Sequence, residues 1–276
     1  MNFDLDDDQR EFAAAARDFF SEQASPSDAR RALDEGTAAT PGRKALADIG
    51  FYGITIPESA GGAGQSVLDL AVVAEQGGRV LAGPSLATAA RVAVLLAGDD
   101  TRLAGLADGS VGYAVVDGSA PVLDAATANR FLARSGDDLV LAEGTVAVGD
   151  PIDPTRGLGT VTLGETEVIG HDVGARWEHA ERVARVILAA EDLGAAARAV
   201  EMAVAYAKER AAFGRFIVPT RPSSTCWSTP TSGSSSCGRW CGGPRGRPRS
   251  PPTSSRWPRR QPRPRRPGYW RTPRRR

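Results

Sequence analysis

The last 58 residues of this chain lack the side chains from which a hydrophobic core is built. Residues 219–276 contain no Ala, Val, Ile, Leu, Met or Phe. They hold 15 of the chain's 34 basic residues, none of its 33 acidic ones, and 12 of its 19 prolines. Such a segment cannot bury enough apolar surface to offset the conformational entropy lost on folding. We therefore expect a disordered tail.

The first 218 residues form the part of the chain that can fold, here called the body. The formal charge of the tail is +15 and that of the whole chain is +1, so the formal charge of the body is −14. No segment reaches the roughly 18 apolar residues of a membrane helix. The acidic residues 1–10 are unlike the basic start of a signal peptide. We expect a cytoplasmic protein without a membrane partner.

The body is poor in residues that bind metals or act as nucleophiles. All three cysteines lie in the tail, and the body has only two histidines, His171 and His179. Disulfides, thiol catalysis and histidine-rich metal sites are therefore excluded from the body, and we expect no metal site. Neither histidine has a partner at ligand or triad spacing, so both are predicted to lie on the surface.

The hydrophobic period changes twice along the body. Residues 1–98 predict five or six helices, separated by Gly and Pro signals. Five short strand-like runs follow, near residues 111–116, 130–133, 138–141, 145–148 and 160–163, as in a small antiparallel sheet. From residue 178 to about 211 the helical period returns, with an apolar stripe formed by Leu193, Ala197, Val200, Val204 and Ala207.

These changes predict an α+β protein with four parts. An N-terminal helical domain over residues 1–108 precedes a middle β domain over residues 109–175. Residues 176–218 form the first long helix of a C-terminal helical bundle, and residues 219–276 form the disordered tail. The segment from Gly53 to Glu58 is predicted to be extended and to end at Pro57.

Two stretches of the body resemble the acyl-CoA dehydrogenase family. Residues 53–79 read GITIPESAGGAGQSVLDLAVVAEQGGR, similar to the family's V-P-E-E-Y-G-G-x-G-x-S run with its later Asp and E-E-x-G-R. Residues 189–215 read AAEDLGAAARAVEMAVAYAKERAAFGR, similar to the family's G…A…A-x-x-Y-A-x-x-R-x-Q-F-G helix. The resemblance implies a helical domain, a β domain and a four-helix bundle, with FAD as cofactor.

The resemblance also implies an activity and a cofactor site. Members desaturate an acyl-CoA thioester between Cα and Cβ, in fatty acid and lipid metabolism, as homo- or hetero-oligomers formed through the C-terminal helices. In the family, the Arg and Phe of R-x-x-F-G reach the FAD of a neighbouring subunit, and those positions here are Arg210 and Phe213. Without the motif they would be interpreted as a helix-capping arginine and a core ring. The motif favours the flavin role, because guanidinium groups pair with pyrophosphate oxygens.

The middle of the chain departs from the family pattern. Residues 115–121 read VVDGSAP where most members have the T-E-P-x-A-G-S-D loop that holds the flavin ring. The W-I-T/S strand is also missing, because Trp177 is the only tryptophan of the body and lies too far along. The reduced β domain resembles a subclass with short middle domains, some of which pair with a different subunit.

The resemblance assigns no catalytic base to this chain. Most members place the glutamate late in the C-terminal bundle, and others place it ten residues before the glycine that matches Gly194, which is Ala184 here. Glu191 is the nearest carboxylate that could point inward, and we interpret it as a solvated or salt-bridged residue. Residues 61–64, GGAG, lack the Lys-Ser/Thr ending of a phosphate loop and are predicted to form a turn. Residues 153–156, DPTR, match a D-x-T-R element of the family and are also predicted to form a turn.

The family helix is broken off after Arg215. The family continues P-I-G-S-F-Q-A-V-K-H, whereas residues 221–229 read RPSSTCWST. GC-rich codons for these residues, read one base earlier, encode QAVKHLLVD, so we hypothesise a frameshift between about Arg215 and Arg221. The chain would then be a truncated and inactive acyl-CoA dehydrogenase.

Two alternatives stay open. One is a non-catalytic partner subunit of a heteromeric acyl-CoA dehydrogenase. The other is a basic tail that binds nucleic acid through its charge and its tryptophans. That tail leaves the broken family motif unexplained, so we do not expect a nucleic-acid partner.

Overall fold

The computed structural model describes residues 4–35, 41–118, 121–149, 153–212 and 215–216. The predicted disordered tail lies outside these residues. The α-helices of the described part are α1 (Asp7–Gln23), α2 (Pro26–Glu35), α3 (Arg43–Asp48), α4 (Val67–Gly78), α5 (Leu86–Leu95), α6 (Asp100–Ala107) and α7 (Gly174–Glu209). The strands are β1 (Tyr113–Val116), β2 (Arg130–Ser135), β3 (Asp138–Ala147), β4 (Thr160–Gly170), β5 (Ala211–Ala212) and β6 (Arg215–Phe216).

The helices begin where their capping residues predict. The Asp6 carboxylate accepts a hydrogen bond from the backbone of Gln9, whose side chain caps the Asp6 backbone in return. Ser66 and Asp69 form the same reciprocal capping box at the start of α4.

The predicted α+β class is confirmed. The domain boundaries stay predictions, although α6 ends at Ala107 and β1 begins at Tyr113.

The predicted extended segment at residues 53–58 is wrong. Short 3-10 helices occupy Phe51–Gly53 and Glu58–Ala60, and the glycine loop folds back on the turn between them. The backbone N–H groups of Ala63, Gly64 and Gln65 donate to carbonyls of residues 53–56. A Cβ on Gly62 would lie 2.1 Å from a backbone oxygen, so a side chain is excluded there. The apolar residues of this segment fill a compact turn, which a strand pattern does not reveal.

The main sheet is mixed, and it differs in two ways from the predicted antiparallel one. Its order is β1-β2-β3-β4, with β1 parallel to β2 and the other pairs antiparallel. The two predicted strands at 138–141 and 145–148 form one strand, β3. Gly144, which separates the two predicted strands in the sequence, marks a β-bulge opposite β4. A Cβ there would lie 2.9 Å from the Thr162 carbonyl oxygen and 3.1 Å from the Phe131 ring, so the bulge needs glycine.

The long helix α7 is buried over its first half only. Its buried residues are Trp177, Ala180, Val183, Ala184, Ile187, Glu191 and Gly194. They pack against α4 and α5 in the principal core of the body. Of the predicted apolar stripe, Leu193 is exposed, and Ala197, Val200, Val204 and Ala207 are only partly buried. Met202 and Tyr206, which lie outside the stripe, are exposed as well.

The contact between α4 and α7 depends on two glycines. A Cβ on Gly78 would lie 1.9 Å from the Glu191 carbonyl oxygen, and one on Gly194 would lie 1.8 Å from that of Glu75. The backbones therefore touch where any side chain would separate the helices. The Nη2 of Arg79 donates to both carboxylate oxygens of Glu201, and this ion pair ties the end of α4 to the next turns of α7.

Helix α7, with 36 residues, is longer than a helix needs to be to span a membrane. No helix of the described ranges combines that length with enough apolar character to cross a membrane.

We predict that Gly194→Ala destabilises the body by at least roughly 2 kcal/mol, because two backbones would have to separate. Gly174→Ala is the matched control in the same helix, since its Cβ would meet neighbours at an ordinary 3.6 Å or more. Helix propensity alone favours alanine over glycine by about 1 kcal/mol, so the control should be neutral or stabilised. Urea unfolding of both variants measures the difference, and equal midpoints would contradict the close contact.

Candidate functional site

A cavity of about 240 Å³ lies between α5, the end of β1 and α7. Most of its walls are apolar side chains. The lining residues are Ala87, Thr88 and Arg91 from α5, Val115, Asp117, Pro121, Val122 and Leu123 from β1 and the segment after it, and Ala184 and Leu188 from α7. A concave, mostly apolar space with a few polar groups is the usual form of a small-molecule site, and this one is partly open to solvent.

One cation faces this cavity. The Arg91 guanidinium lies 5.0 Å from the centre of the Trp177 ring, and its Nη2 donates to the Asp117 carboxylate at 3.0 Å. Stacking on an indole is favourable for arginine and fixes the plane of the guanidinium. The Nε–H of Arg91 is buried and has no hydrogen-bond partner among the described residues.

The cavity has no carboxylate suited to remove a proton from carbon. Ala184, the position at which some members of the resembled family carry their base, lines the cavity with a methyl group. Asp117 is the only acidic lining residue in the described ranges. Its side chain is 55 % exposed and paired with Arg91. A base for a carbon acid needs a carboxylate shielded from water, which Asp117 is not.

Glu191 lies behind the cavity in a buried ionic network. It is 4 % exposed. Its carboxylate accepts hydrogen bonds from the Ser85 hydroxyl at 2.9 Å and the Leu86 backbone N–H at 3.1 Å, and it forms an ion pair with Arg156 at 2.8 Å. The salt-bridged interpretation of Glu191 is confirmed, and the solvated one is wrong, because α5 and the D-x-T-R turn cover it.

Asp124 is the second buried carboxylate of this network. It accepts hydrogen bonds from the Ser85 backbone N–H at 3.1 Å and from the Thr88 hydroxyl. Burial raises the pKa of Asp124 to about 7, with the nearby Glu191 charge adding to the rise and the bonds from Thr88 and Ser85 opposing it. Burial also raises the pKa of Glu191, against the opposing effect of Arg156. With one guanidinium for two carboxylates, a proton on Asp124 would balance the charge of the network.

The network joins four separate parts of the chain. Ser85 and Leu86 begin α5, Asp124 lies between β1 and β2, and Glu191 belongs to α7. Arg156 ends the D-x-T-R segment, a 3-10 helix over Pro154–Arg156 capped by Asp153, which confirms the predicted turn. Thr88 both lines the cavity and donates to Asp124, so the network supports the α5 wall of the site.

The glycine loop offers nothing to a phosphate group. The N–H groups of residues 62–65 all donate to carbonyls of residues 53–57. A phosphate cradle requires free N–H groups, so the prediction of a turn rather than a phosphate loop is confirmed. His171 and His179 are exposed as predicted, although the Nδ1 of His171 lies 2.7 Å from the Asp138 carboxylate. No group of three potential metal ligands occurs within the described residues.

The predicted flavin residues lie at the end of α7. Arg210 directly follows the helix, is exposed, and pairs with no acidic group in the described part of the chain. Phe213 lies outside the described residues. A free guanidinium fits the pyrophosphate of FAD. The 240 Å³ cavity is below the roughly 300–1,000 Å³ of ordinary ligand pockets and does not enclose a flavin ring together with an acyl group.

Sequence reasoning missed the cavity and most of its supporting network. Asp124 and Arg91 belong to no motif or period of the sequence. Ser85 and Glu191 are separated by 106 positions, so no local period or motif connects them.

Comparison with known proteins agrees with the predicted family. Residues 6–101 match the family described as "Acyl-CoA dehydrogenase, N-terminal domain". Over 197 residues the chain is 34 % identical to "Acyl-CoA dehydrogenase IpdE2" of Mycolicibacterium smegmatis, a match that covers 70 % of this chain and 62 % of that protein. The chain thus spans less than two thirds of the length of this relative.

Solved structures share the fold. The structure named "Tcur3481-Tcur3483 steroid ACAD G363A variant" is 26 % identical, with a TM-score of 0.63, over 76 % of this chain and 69 % of that one. The ChsE4-ChsE5 complex from Mycobacterium tuberculosis is 20 % identical, with a TM-score of 0.64, over 79 % and 71 %. The second similarity concerns the fold alone.

We predict that Asp124→Asn removes a pH dependence of stability. A carboxyl whose pKa is raised on folding stabilises the folded state below its unfolded pKa, and this stability is lost as the pH rises toward about 7. The loss is on the order of 4 kcal/mol for a shift of this size. The free energy of unfolding in urea, measured between about pH 4 and pH 8, should fall less steeply in the variant. Asp192→Asn, at an exposed site on α7, is the control and should keep the wild-type slope.

Proposed function

Because this chain belongs to the acyl-CoA dehydrogenase family, we propose that it is part of an FAD-dependent enzyme that desaturates an acyl-CoA thioester. The reaction removes a proton from Cα and a hydride from Cβ and yields a trans-2-enoyl-CoA. FAD, when bound, accepts the hydride. The residues of this chain bind and orient the reactants.

The cavity supports this proposal through its shape and composition. Val115, Val122 and Leu188 form apolar walls that suit the hydrocarbon of an acyl group and exclude water from it. A buried network holds α5 and α7 at a fixed separation on either side of the cavity. It is formed by Ser85, Asp124, Glu191 and Arg156. At the end of α7, Arg210 supplies a guanidinium for the cofactor's pyrophosphate, which is the role implied by its place in the family motif.

One observation carries a further part of the proposal, namely that this chain alone is inactive. Ala184 stands where some relatives place the base, and Glu191 is held by three donors behind the cavity wall. In the described residues no shielded carboxylate reaches the cavity. The base would therefore come from a segment or subunit outside them. A chain truncated by a frameshift would have lost that segment.

A second candidate function is a non-catalytic partner subunit of a heteromeric dehydrogenase. Arg210 is exposed and unpaired in the described part, which suits a residue that completes a flavin site on another subunit. The exposed apolar side chains of Leu193, Met202 and Tyr206 give α7 a surface for contact between subunits. The printed name of the Tcur3481-Tcur3483 structure likewise joins two components.

We predict that the purified chain, supplied with FAD and an electron acceptor, converts no acyl-CoA to enoyl-CoA. Product would be measured by chromatography of the CoA thioesters.

If the chain is a non-catalytic partner subunit, producing it together with a full-length family member from the same source should yield a flavin-containing complex. Arg210→Ala should then lower its bound FAD about tenfold, because a charge-assisted bond is lost. Arg198→Ala, an exposed arginine of the same helix, is the control. Turnover by the chain alone would contradict its proposed inactivity.

The frameshift hypothesis predicts the nucleotide sequence of the gene. Across codons 210 to 230, a frame shifted by one base should continue the family helix and lead into further amphipathic helices. Sequencing the source DNA, and measuring the intact mass of the protein made from it, decides between frames. A tail translated as given would refute the frameshift and leave the partner subunit as the proposed role.

A further inference from the structure

We propose that Arg91 makes the cavity selective for an acyl group that carries a carboxylate at the end remote from its thioester. This inference rests on the proposed function, because it specifies the substrate class of the same cavity. It concerns recognition by this chain's own residues and does not depend on FAD or on turnover.

The first argument is the incomplete pairing of a cation in an apolar cavity. Arg91 has five N–H donors, and in the described ranges only its bond to Asp117 is formed. The Nε–H is buried without an acceptor, and a buried donor without a partner destabilises the protein, more so when it is charged. Because Arg91 lines the cavity, its Nη groups can donate to an anionic ligand there, which would add acceptors to a guanidinium that has too few.

The second argument is the position of the guanidinium. Its central carbon lies 5.0 Å from the centre of the Trp177 ring, and Trp177 is itself buried in the first turns of α7. This cation–π contact uses none of the guanidinium N–H groups, which are the donors through which arginine binds a carboxylate by two parallel bonds. Lysine has no such fork, so the site is specific for arginine.

The third argument concerns Asp117, the present partner of Arg91. Its side chain is 55 % exposed, whereas that of Arg91 is 17 % exposed. An ion pair with an exposed partner contributes little to stability, so Asp117 is easily displaced. A ligand carboxylate inside the cavity would be better shielded and would compete favourably.

The fourth argument is the size of the cavity. Its 240 Å³ equals the volume of about eight water molecules in the liquid. This suffices for a short chain or a single ring with a terminal carboxylate, between the walls of Val122 and Leu188. A long unbranched acyl chain would exceed it and would leave Arg91 desolvated without an acceptor.

The test uses two small probes of matched shape and the full chain without cofactor. Monomethyl glutarate carries an ester at one end and a carboxylate at the other, and methyl pentanoate has the same length without the charge. Binding is measured by NMR titration of the Trp177 indole N–H, which lies beside Arg91 and is assigned with Trp177→Phe. We expect the carboxylate probe to bind about tenfold more tightly.

Two variants with opposite effects keep the outcome clear. Arg91→Gln should abolish the tenfold preference and leave the affinity for methyl pentanoate unchanged, whereas Arg185→Gln, an exposed arginine of α7, should retain it. Asp117→Asn removes the competing carboxylate at an exposed position and should tighten binding of monomethyl glutarate several-fold. A purely structural Arg91–Asp117 pair would not produce this gain.

The proposal is overturned if neither probe binds, if both bind equally to the wild-type chain, or if the preference survives in Arg91→Gln. Because no outcome uses flavin or product formation, an inactive chain that prefers the carboxylate probe would refute only a catalytic role. An active chain without that preference would refute only the specificity proposed for Arg91.

Discussion

Helix α7 packs against α4 and α5. Its backbone lies so close to that of α4 that no side chain fits between the two helices. Gly78 and Gly194 bring the backbones of α4 and α7 into contact, and the Glu191 carbonyl occupies the space that a Cβ on Gly78 would fill. The side chain of the same Glu191 reaches the start of α5. One residue therefore fixes α7 relative to two helices at once. The positions of Ala184 and Leu188 in the cavity wall, and of Trp177 beside Arg91, follow from this placement.

The ionic network around Glu191 is costly, and its geometry explains how the fold tolerates it. Buried charges destabilise a fold unless every group is paired. Here Glu191 is satisfied by the backbone N–H of Leu86 at the start of α5, the Ser85 hydroxyl and Arg156. Asp124 reduces the remaining charge by holding a proton near neutral pH. The helix N-terminus adds a favourable partial positive charge. The result is a rigid polar wall behind an apolar cavity.

The proposed function assigns the cavity and the end of α7 to two different parts of a flavoenzyme site. Under this proposal the apolar walls and Arg91 would bind an acyl group, and Arg210 would bind the pyrophosphate of the cofactor. The described residues place no shielded carboxylate in the cavity, because Ala184 lines it with a methyl group and Glu191 is held by Ser85, Leu86 and Arg156. The proposal therefore gives this chain the task of recognition and leaves proton abstraction to another segment or subunit.

The sequence by itself determined the features that depend on neighbours within a few residues. The caps at Asp6 and Ser66, the turn formed by the glycine loop, and the change from helical to strand period all depend on local hydrogen bonds and side-chain spacing. The family motifs are local in the same sense. They indicated the class of protein and the place of Arg210, but not the environment of Glu191 or the cavity.

Tertiary structure decided everything that joins distant segments. The parallel pairing of β1, the bulge at Gly144, the burial of Glu191 and the stacking of Arg91 on Trp177 each connect residues that no period relates. Local patterns specify which face of an element is apolar, but not which other element covers it. That choice is made by packing the whole core, where close backbone contact and the pairing of buried charges leave a single arrangement.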